Sequence, residues 1–289
     1  RHVPVYGRRC GIAEKMKRLT LIVLLMAASL FKMSAGQVDS TSRARLSEML
    51  EQYYETMLFI DNSEKEQECD YLIESCKDSL VRQFVASSIL DHYMNPPLMG
   101  EESVAIYLYE KWFLNGPVTI GDEWKAFEAS MFYQFNRLSM IDMPAPSLEL
   151  YDPNGEKCAA LLEGSPAVLY FYDTSCAKCK LASTWLPIVM GTVDFPIRLV
   201  AIYSGSEEEE WAEFRSKFKI ENENVSIIHL WDPEMESDYQ MKYGIISTPK
   251  IYFIDENCII RGRRLERDSL EQILNIYKEY YGQVCKKEK

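Results

Sequence analysis

"YFYDTSCAKCK", residues 170–180, decides how the chain is read. An apolar run leads into Cys176 and Cys179, which are separated only by Ala177 and Lys178. That spacing suits a redox dithiol, half of a metal site, or two ordinary core residues. The flanks narrow the choice. "AVLYFY" before the pair reads as a buried strand, and the residues from Cys176 onward as a helix. Cys176 then stands at a helix N-terminus, where unpaired N–H groups and the helix dipole favour a thiolate. Lys178 and Lys180 add positive charge nearby. A thiol so placed has its pKa lowered from ~8.5 into the range ~3.5–7.5. Cys179, one turn further in, is less exposed. On this reading Cys176 attacks and Cys179 resolves.

Outward from the pair, strands and helices alternate. "IRLVAIY", "VSIIHL", "KIYFIDE" and "CIIRGRRL" read as strands, the last two as a hairpin. "SEEEEWAEFRSKF", "PEMESDYQMKY" and "DSLEQILNIYKEYY" read as helices, with Ser206 as the N-cap of the first. This order predicts an α/β sandwich around one mixed sheet. "LEL" before the "DPNG" turn begins an entry hairpin. Residues 42 to about 140 differ in texture. Leu46, Met49, Leu50, Tyr53, Tyr54, Met57 and Leu58 form one apolar stripe at helical spacing. The pattern repeats in "KDSLVRQFVASSILDHYM" and "EESVAIYLYEKWFLNG", and Gly116-Pro117 ends it. A further helix covers "DEWKAFEASMFYQFNRLS". The expected organisation is 1–36 upstream residues plus leader, 37–140 an all-α domain, and 141–289 the α/β domain.

The leader rests on "MKRLTLIVLLMAASLFKMSAGQ" from Met16. Lys17 and Arg18 precede a 13-residue apolar run, and Ser34-Ala35-Gly36 offers small residues for cleavage. The run is short of the ~20 residues that span a bilayer and suits a secretory signal. The expectation is a periplasmic or otherwise exported protein, soluble once the leader is removed. Without residues 1–36 the net charge falls from −12 to about −18, which opposes nucleic-acid binding. Export also lets disulfides persist.

From about Met143 to the last helix the chain resembles the thioredoxin-like family, in particular its exported bacterial branch related to the cytochrome-maturation thioredoxins. "MPAPSLELYDPNGE" resembles that branch's entry hairpin, "VLYFYDTSCAKCK" its strand and redox helix, and "LEQIL" its closing helix. "YGIISTPKIYFIDENCII" resembles the segment in which a cis-proline precedes the final hairpin. "MGEESVAIYLYEKWFLNG" is similar to a helical domain that precedes such modules. The resemblance implies a thioredoxin-like sandwich, with Thr248-Pro249 as a cis peptide facing the cysteines and contacting substrate. It implies thiol–disulfide exchange on protein substrates in the reducing direction, with a membrane-bound or soluble thiol as electron donor. Neither an organic cofactor nor a metal is implied.

Departures from the family pattern are specific. Ser175 replaces the usual Trp before the first cysteine, and Ala177-Lys178 lacks the common proline. Tyr170 stands where thioredoxins keep a buried Asp, and Ala182 where the exported branch often has Glu. A zinc site lacks its second half: Cys69 and Cys76 are spaced by seven, and His92 and His229 stand alone. A copper site using His229 is a further reading. The peroxide-reducing pattern PxxxTxxC fails at Leu169 and Asp173. Cys69 and Cys76 pair only if they lie in a loop, since one helix would hold them ~10 Å apart. Cys158, Cys258 and Cys285 read as packing or surface residues, and Arg261, Arg263 and Arg264 as a solvated strand face. The rival function is a non-catalytic binding module presenting the Pro249 face to a protein partner. An exposed Cys176 with a lowered pKa favours the enzyme; a buried, inert one favours the module.

Overall fold

The structure, a computed structural model, describes residues 40–284, with side chains to Tyr280. The expected leader and Cys285 lie outside the described residues. The chain divides into two compact units between Tyr133 and Gln134.

The first unit is helical: α1 (Ser40–Met57), α2 (Asn62–Ser75), α3 (Ser79–Met94), α4 (Glu102–Leu108) and most of α5 (Glu123–Asn136). The apolar stripe of α1 buries Leu46, Leu50, Tyr53, Tyr54 and Met57, each worth roughly 1.5–3 kcal/mol for an aliphatic side chain. Asp78 caps α3, its carboxylate accepting from the N–H groups of Leu80 and Val81 at 2.9 and 3.1 Å; such caps contribute about 1 kcal/mol. After α4 the chain widens into a π-helical turn, Tyr109–Leu114. Gly116 follows because a Cβ there would meet the carbonyl of Trp112 at 2.3 Å. Charges inside this unit are matched. Lys65 pairs with Glu101, and the Asp70 carboxylate accepts from Trp112 Nε1, Tyr107 Oη and Lys111 Nζ.

The second unit holds a seven-stranded mixed sheet in the order β2-β1-β5-β4-β3-β6-β7. Its strands are β1 (Glu149–Tyr151), β2 (Lys157–Ala159), β3 (Ala167–Tyr172), β4 (Ile197–Tyr203), β5 (Val225–Trp231), β6 (Lys250–Ile254) and β7 (Ile260–Gly262). β3, β4 and β5 run parallel, while β6 lies antiparallel to β3 with Tyr170 opposite Ile251. Every residue of β3 and β4 is buried, which is why both read as unbroken apolar runs. Helices flank the sheet: α6 (Ala177–Gly191), α7 (Glu208–Lys217), α8 (Tyr239–Tyr243) and α9 (Arg267–Val284). One face packs Val168, Tyr170 and Ile251 against Leu186 of α6 and Leu270 of α9. The other packs Leu169, Phe171 and Tyr252 against Tyr239 and Tyr243 of α8.

Three local expectations need correction. The helix expected over residues 233–243 forms only at Tyr239–Tyr243. Met235 and Asp238 adopt left-handed backbone, and the Asp232 carboxylate collects the N–H groups of Glu236 and Ser237, holding a loop. Ser206 does not cap α7; Glu207 takes the N-cap position, and the Ser206 hydroxyl donates to the Glu207 carboxylate. Arg263 is not on a solvated face. It is 1 % exposed and donates to Asn136 Oδ1 at 2.6 Å and Met140 Sδ at 2.8 Å. Arg261 is bound by Asp255 and Asp142.

Candidate active site

The β3 strand ends at Tyr172, and a three-residue loop delivers the chain to Cys176, the N-cap of α6. The cap is the sulfur itself: Cys176 Sγ accepts from the Cys179 N–H at 3.3 Å. Asp173 shapes the loop by accepting from the Ser175 N–H and hydroxyl at 2.7 and 2.5 Å. Ser175, where the family's Trp would stand, is therefore a loop-fixing residue here. Across from the pair, the Thr248-Pro249 peptide is cis, and the Cys176 thiol donates to the Thr248 carbonyl at 3.2 Å. The structure brings Cys176 and Cys179 together with the Thr248-Pro249 peptide.

The two thiols have opposite surroundings. Cys176 is partly exposed. Its slight burial works against ionisation, but hydrogen bonds from the Cys179 thiol and N–H, the Thr248 side chain and the Lys178 N–H hold its pKa below the usual cysteine value. Cys179 is 1 % exposed. Burial pushes its thiol up to about 12, against the opposing pull of the Asp173 N–H 3.5 Å from its sulfur. Lys178 acts on Cys176 through its backbone N–H, and both Lys178 and Lys180 carry exposed side chains.

Tyr170, in the place of the family's buried Asp, is fully buried, and its hydroxyl donates to the Cys179 carbonyl at 3.1 Å. Ser183 Oγ donates to the same carbonyl at 2.8 Å. The first turn of α6 is therefore tied to β3 by the Tyr170 hydroxyl, where the family pattern has a carboxylate. Behind Cys179 a cleft of about 620 Å³ opens between α6 and α7, lined by Lys180, Ser183, Phe214 and Phe218 among others. His229 is remote from the thiols in its contacts: its ring meets Phe214 and Phe218 edge-on. Burial, with Arg215 and Lys219, lowers its pKa to about 4. Cys69, Cys76, Cys158, Cys176, Cys179 and Cys258 are all free thiols. Cys69 lies in α2 and Cys76 caps its C-terminus, the helical arrangement in which they do not pair.

The strand order and the flanking helices match one known architecture. A thioredoxin-like protein from Bacteroides caccae superposes with a TM-score of 0.63 at 13 % identity, covering 90 % of this chain and 93 % of that one. The fold is thioredoxin-like. Other similar structures include the thioredoxin domain of a thiol-disulfide oxidoreductase from Bacteroides vulgatus (17 % identity, 47 % of this chain and 96 % of that one, TM-score 0.40). A thiol-disulfide oxidoreductase from Bacteroides fragilis matches at 18 % identity over 46 % of this chain and 98 % of that one, with a TM-score of 0.41. No family model matches the chain, and no curated protein does. Among the described residues, no helix of this thioredoxin-like chain is long and apolar enough to cross a membrane.

Two contributors to the site escape a reading of the sequence. The Asp173 N–H and the Tyr170 hydroxyl act from positions defined only once β3 and α6 are packed.

Proposed function

We propose that the protein is an exported thiol–disulfide oxidoreductase that reduces disulfides in protein substrates. The observation that carries this is the contrast between a partly exposed Cys176 whose anion is favoured and a buried Cys179 whose thiol is not, both beside Thr248-Pro249. The Cys176 thiolate attacks one sulfur of a substrate disulfide, forming a mixed disulfide and expelling the other sulfur as a thiolate. Cys179 then loses its proton and attacks the Cys176 sulfur. The second substrate thiolate leaves, and the Cys176–Cys179 disulfide forms. Two electrons from a soluble or membrane-bound thiol donor restore the dithiol. Partial exposure of Cys176 weighs against a static binding module. The reducing direction rests on the sequence resemblance, and export on the apolar run 19–31.

A Cys179→Ser variant should accumulate mixed disulfides with protein substrates, and Cys176→Ser should form none, read by non-reducing electrophoresis and mass spectrometry. Equilibration of the pair in thiol/disulfide buffers should give a potential near or below ~−270 mV for a reductase, against ~−120 mV for an oxidant. A pair that never cycles, with nothing trapped, refutes the enzyme.

A further inference from the structure

The cleft of about 620 Å³ between α6 and α7 reaches the loop that delivers Cys176, since Asp173, Thr174 and Ser175 all line it. Lys180, Ser183 and Pro187 of α6 line one wall at three- and four-residue intervals. Glu210, Phe214 and Lys217 of α7 line the other at the same intervals. Such spacing keeps each set on one helix face, so the cleft runs along both helices as a groove. At a rise of ~1.5 Å per residue, Ser183 lies ~10 Å and Pro187 ~16 Å along α6 from Cys176. An extended chain at ~3.3 Å per residue covers that distance in about three to five residues.

The floor of the groove is apolar. Tyr172, Phe214 and Phe218 form a stacked series with ring centroids 4.1 and 4.9 Å apart, and Phe214 and Pro187 are only half-buried. The rim is neutral overall, with Asp173, Glu210 and Glu213 set against Lys180, Lys217 and Lys219. Most of its charges are also engaged within the protein. Thr174 donates to Glu210, Lys217 pairs with Glu213, and Lys219 Nζ donates to the Arg215 carbonyl at 3.1 Å. An aromatic floor under a neutral rim suits an uncharged, apolar side chain better than an ion.

Cys176 lies between Ser175 and Cys179, both of which line the cleft. A mixed disulfide at Cys176 therefore tethers the substrate chain at the end of the groove. We propose that the α6–α7 groove seats an apolar side chain of the protein substrate, about three to five residues from its reacting cysteine. This rests on the thiol–disulfide reading of Cys176 and adds to it a preference for the sequence around the target disulfide.

The test uses the reduced full chain and Ser-rich synthetic peptides, each with one cysteine in mixed disulfide with a chromophoric thiol. Cys176 attacks the peptide sulfur, the chromophoric thiolate leaves, and Cys179 then expels the peptide thiolate. A single Leu is walked outward from the cysteine on each side, and an all-Ser peptide is the reference. Second-order rate constants are read by stopped flow. With Leu about three to five residues away on one side, the rate should rise about tenfold, equivalent to about 1.4 kcal/mol. Burial of a Leu side chain supplies that much. Leu next to the cysteine, or anywhere on the other side, should change the rate less than about twofold. The advantage should persist at ~1 M salt, where charge attraction is screened beyond ~3 Å. Pro187→Trp puts an indole into the groove and should bring the Leu-to-Ser ratio within about twofold of unity. Equal rates for all peptides, the same gain at every position, a gain lost in high salt, or a ratio that survives Pro187→Trp overturns the proposal. The wild-type positional series decides even where Pro187→Trp fails to fold. If no peptide reacts and Cys179→Ser traps nothing, the thiol–disulfide reading fails, and this proposal with it; equal, finite rates refute the groove proposal alone.

Discussion

In the helical unit Lys65 is buried against Glu101, and Asp70 gathers three donors from Tyr107, Lys111 and Trp112. In the strand-bearing unit Lys250 is half-buried, is reached by the positive charges of Arg264, Arg263 and Lys178, and has no carboxylate partner among the described residues. Chance exposure does not account for the difference, since the chain is rich in carboxylates. Matched buried charge holds a scaffold together, whereas an unmatched ammonium subtracts from stability. The contrast teaches where stability has been given up, and it can be broken experimentally.

The largest effect is expected from unmatching the scaffold. Lys65→Met leaves Glu101 buried without its counter-charge and should cost about 3–5 kcal/mol of unfolding free energy. A double variant, Lys65→Met with Glu101→Leu, should recover most of that loss, because an apolar pair of similar volume does not strand a charge. Urea unfolding of the single and double variants checks both. A single variant within about 0.5 kcal/mol of wild type would show that the pair is not a matched scaffold element.

Thiols extend the comparison. Burial raises Cys69, and it raises Cys76 to about 11 despite the opposing Arg82, while Cys176 is lowered by its hydrogen bonds. Alkylation follows the thiolate fraction, so at pH 7 Cys176 should label at least about 100-fold faster than Cys76 or Cys179. The sign of the pH dependence differs by site. Cys176 labelling should saturate below the usual cysteine pKa, whereas Cys76 and Cys179 should still be gaining rate toward pH 11 and 12. A mass-spectrometric time course reads all three. Comparable rates for Cys76 and Cys176 would erase the distinction between inert and reactive thiols.

Much of the strand-bearing unit and its dithiol is legible in the amino-acid sequence, for a local reason. β3 and β4 are buried on both faces, so "AVLYFY" and "IRLVAIY" carry their burial in composition alone. Cys176 and Cys179 sit within one helical turn, and the loop that places them is contiguous. What escapes depends on distant partners. Arg263 reads as a surface strand residue until Asn136, 127 positions away, accepts its guanidinium. α2 carries no clear helical signal because the buried Lys65 and Asp70 break its apolar stripe, and their partners Glu101 and Trp112 lie 36 and 42 positions on. The Asp232 loop displaces an expected helix because one carboxylate bonded to successive N–H groups outcompetes propensity.

A smaller effect sharpens the site side of the comparison. Tyr170→Phe removes the hydroxyl that donates to the Cys179 carbonyl and that lies 3.3 Å from Ser183 Oγ. Ser183 keeps its own bond to that carbonyl, so no acceptor is orphaned, and the cost should be about 1 kcal/mol. Thermal unfolding measures it. A loss above about 3 kcal/mol would mean that the Tyr170 hydroxyl holds the first turn of α6 alone.

The smallest change is also the one that separates the two regions by sign. Lys250→Met keeps the stem and removes an ammonium that has no partner among the described residues, so below the folded pKa it should raise unfolding free energy by roughly 0.5–1 kcal/mol. Lys65→Met, the same chemical change in the helical unit, lowers it. The pH dependence follows from the lowered pKa of Lys250. Below the folded pKa the lysine is protonated in both folded and unfolded chains, and the full penalty is present. As pH rises through the folded pKa toward the ordinary value of 10.5, the folded chain releases its proton first. The unfolded chain then binds more protons, and wild-type stability rises with pH relative to the variant. The advantage of Lys250→Met should therefore narrow on the alkaline side, as measured by urea midpoints of both proteins from pH 7 to 10.5. An advantage that is absent at pH 7, or that widens with pH, would mean Lys250 is already matched in the free protein, and the two regions would no longer differ in kind.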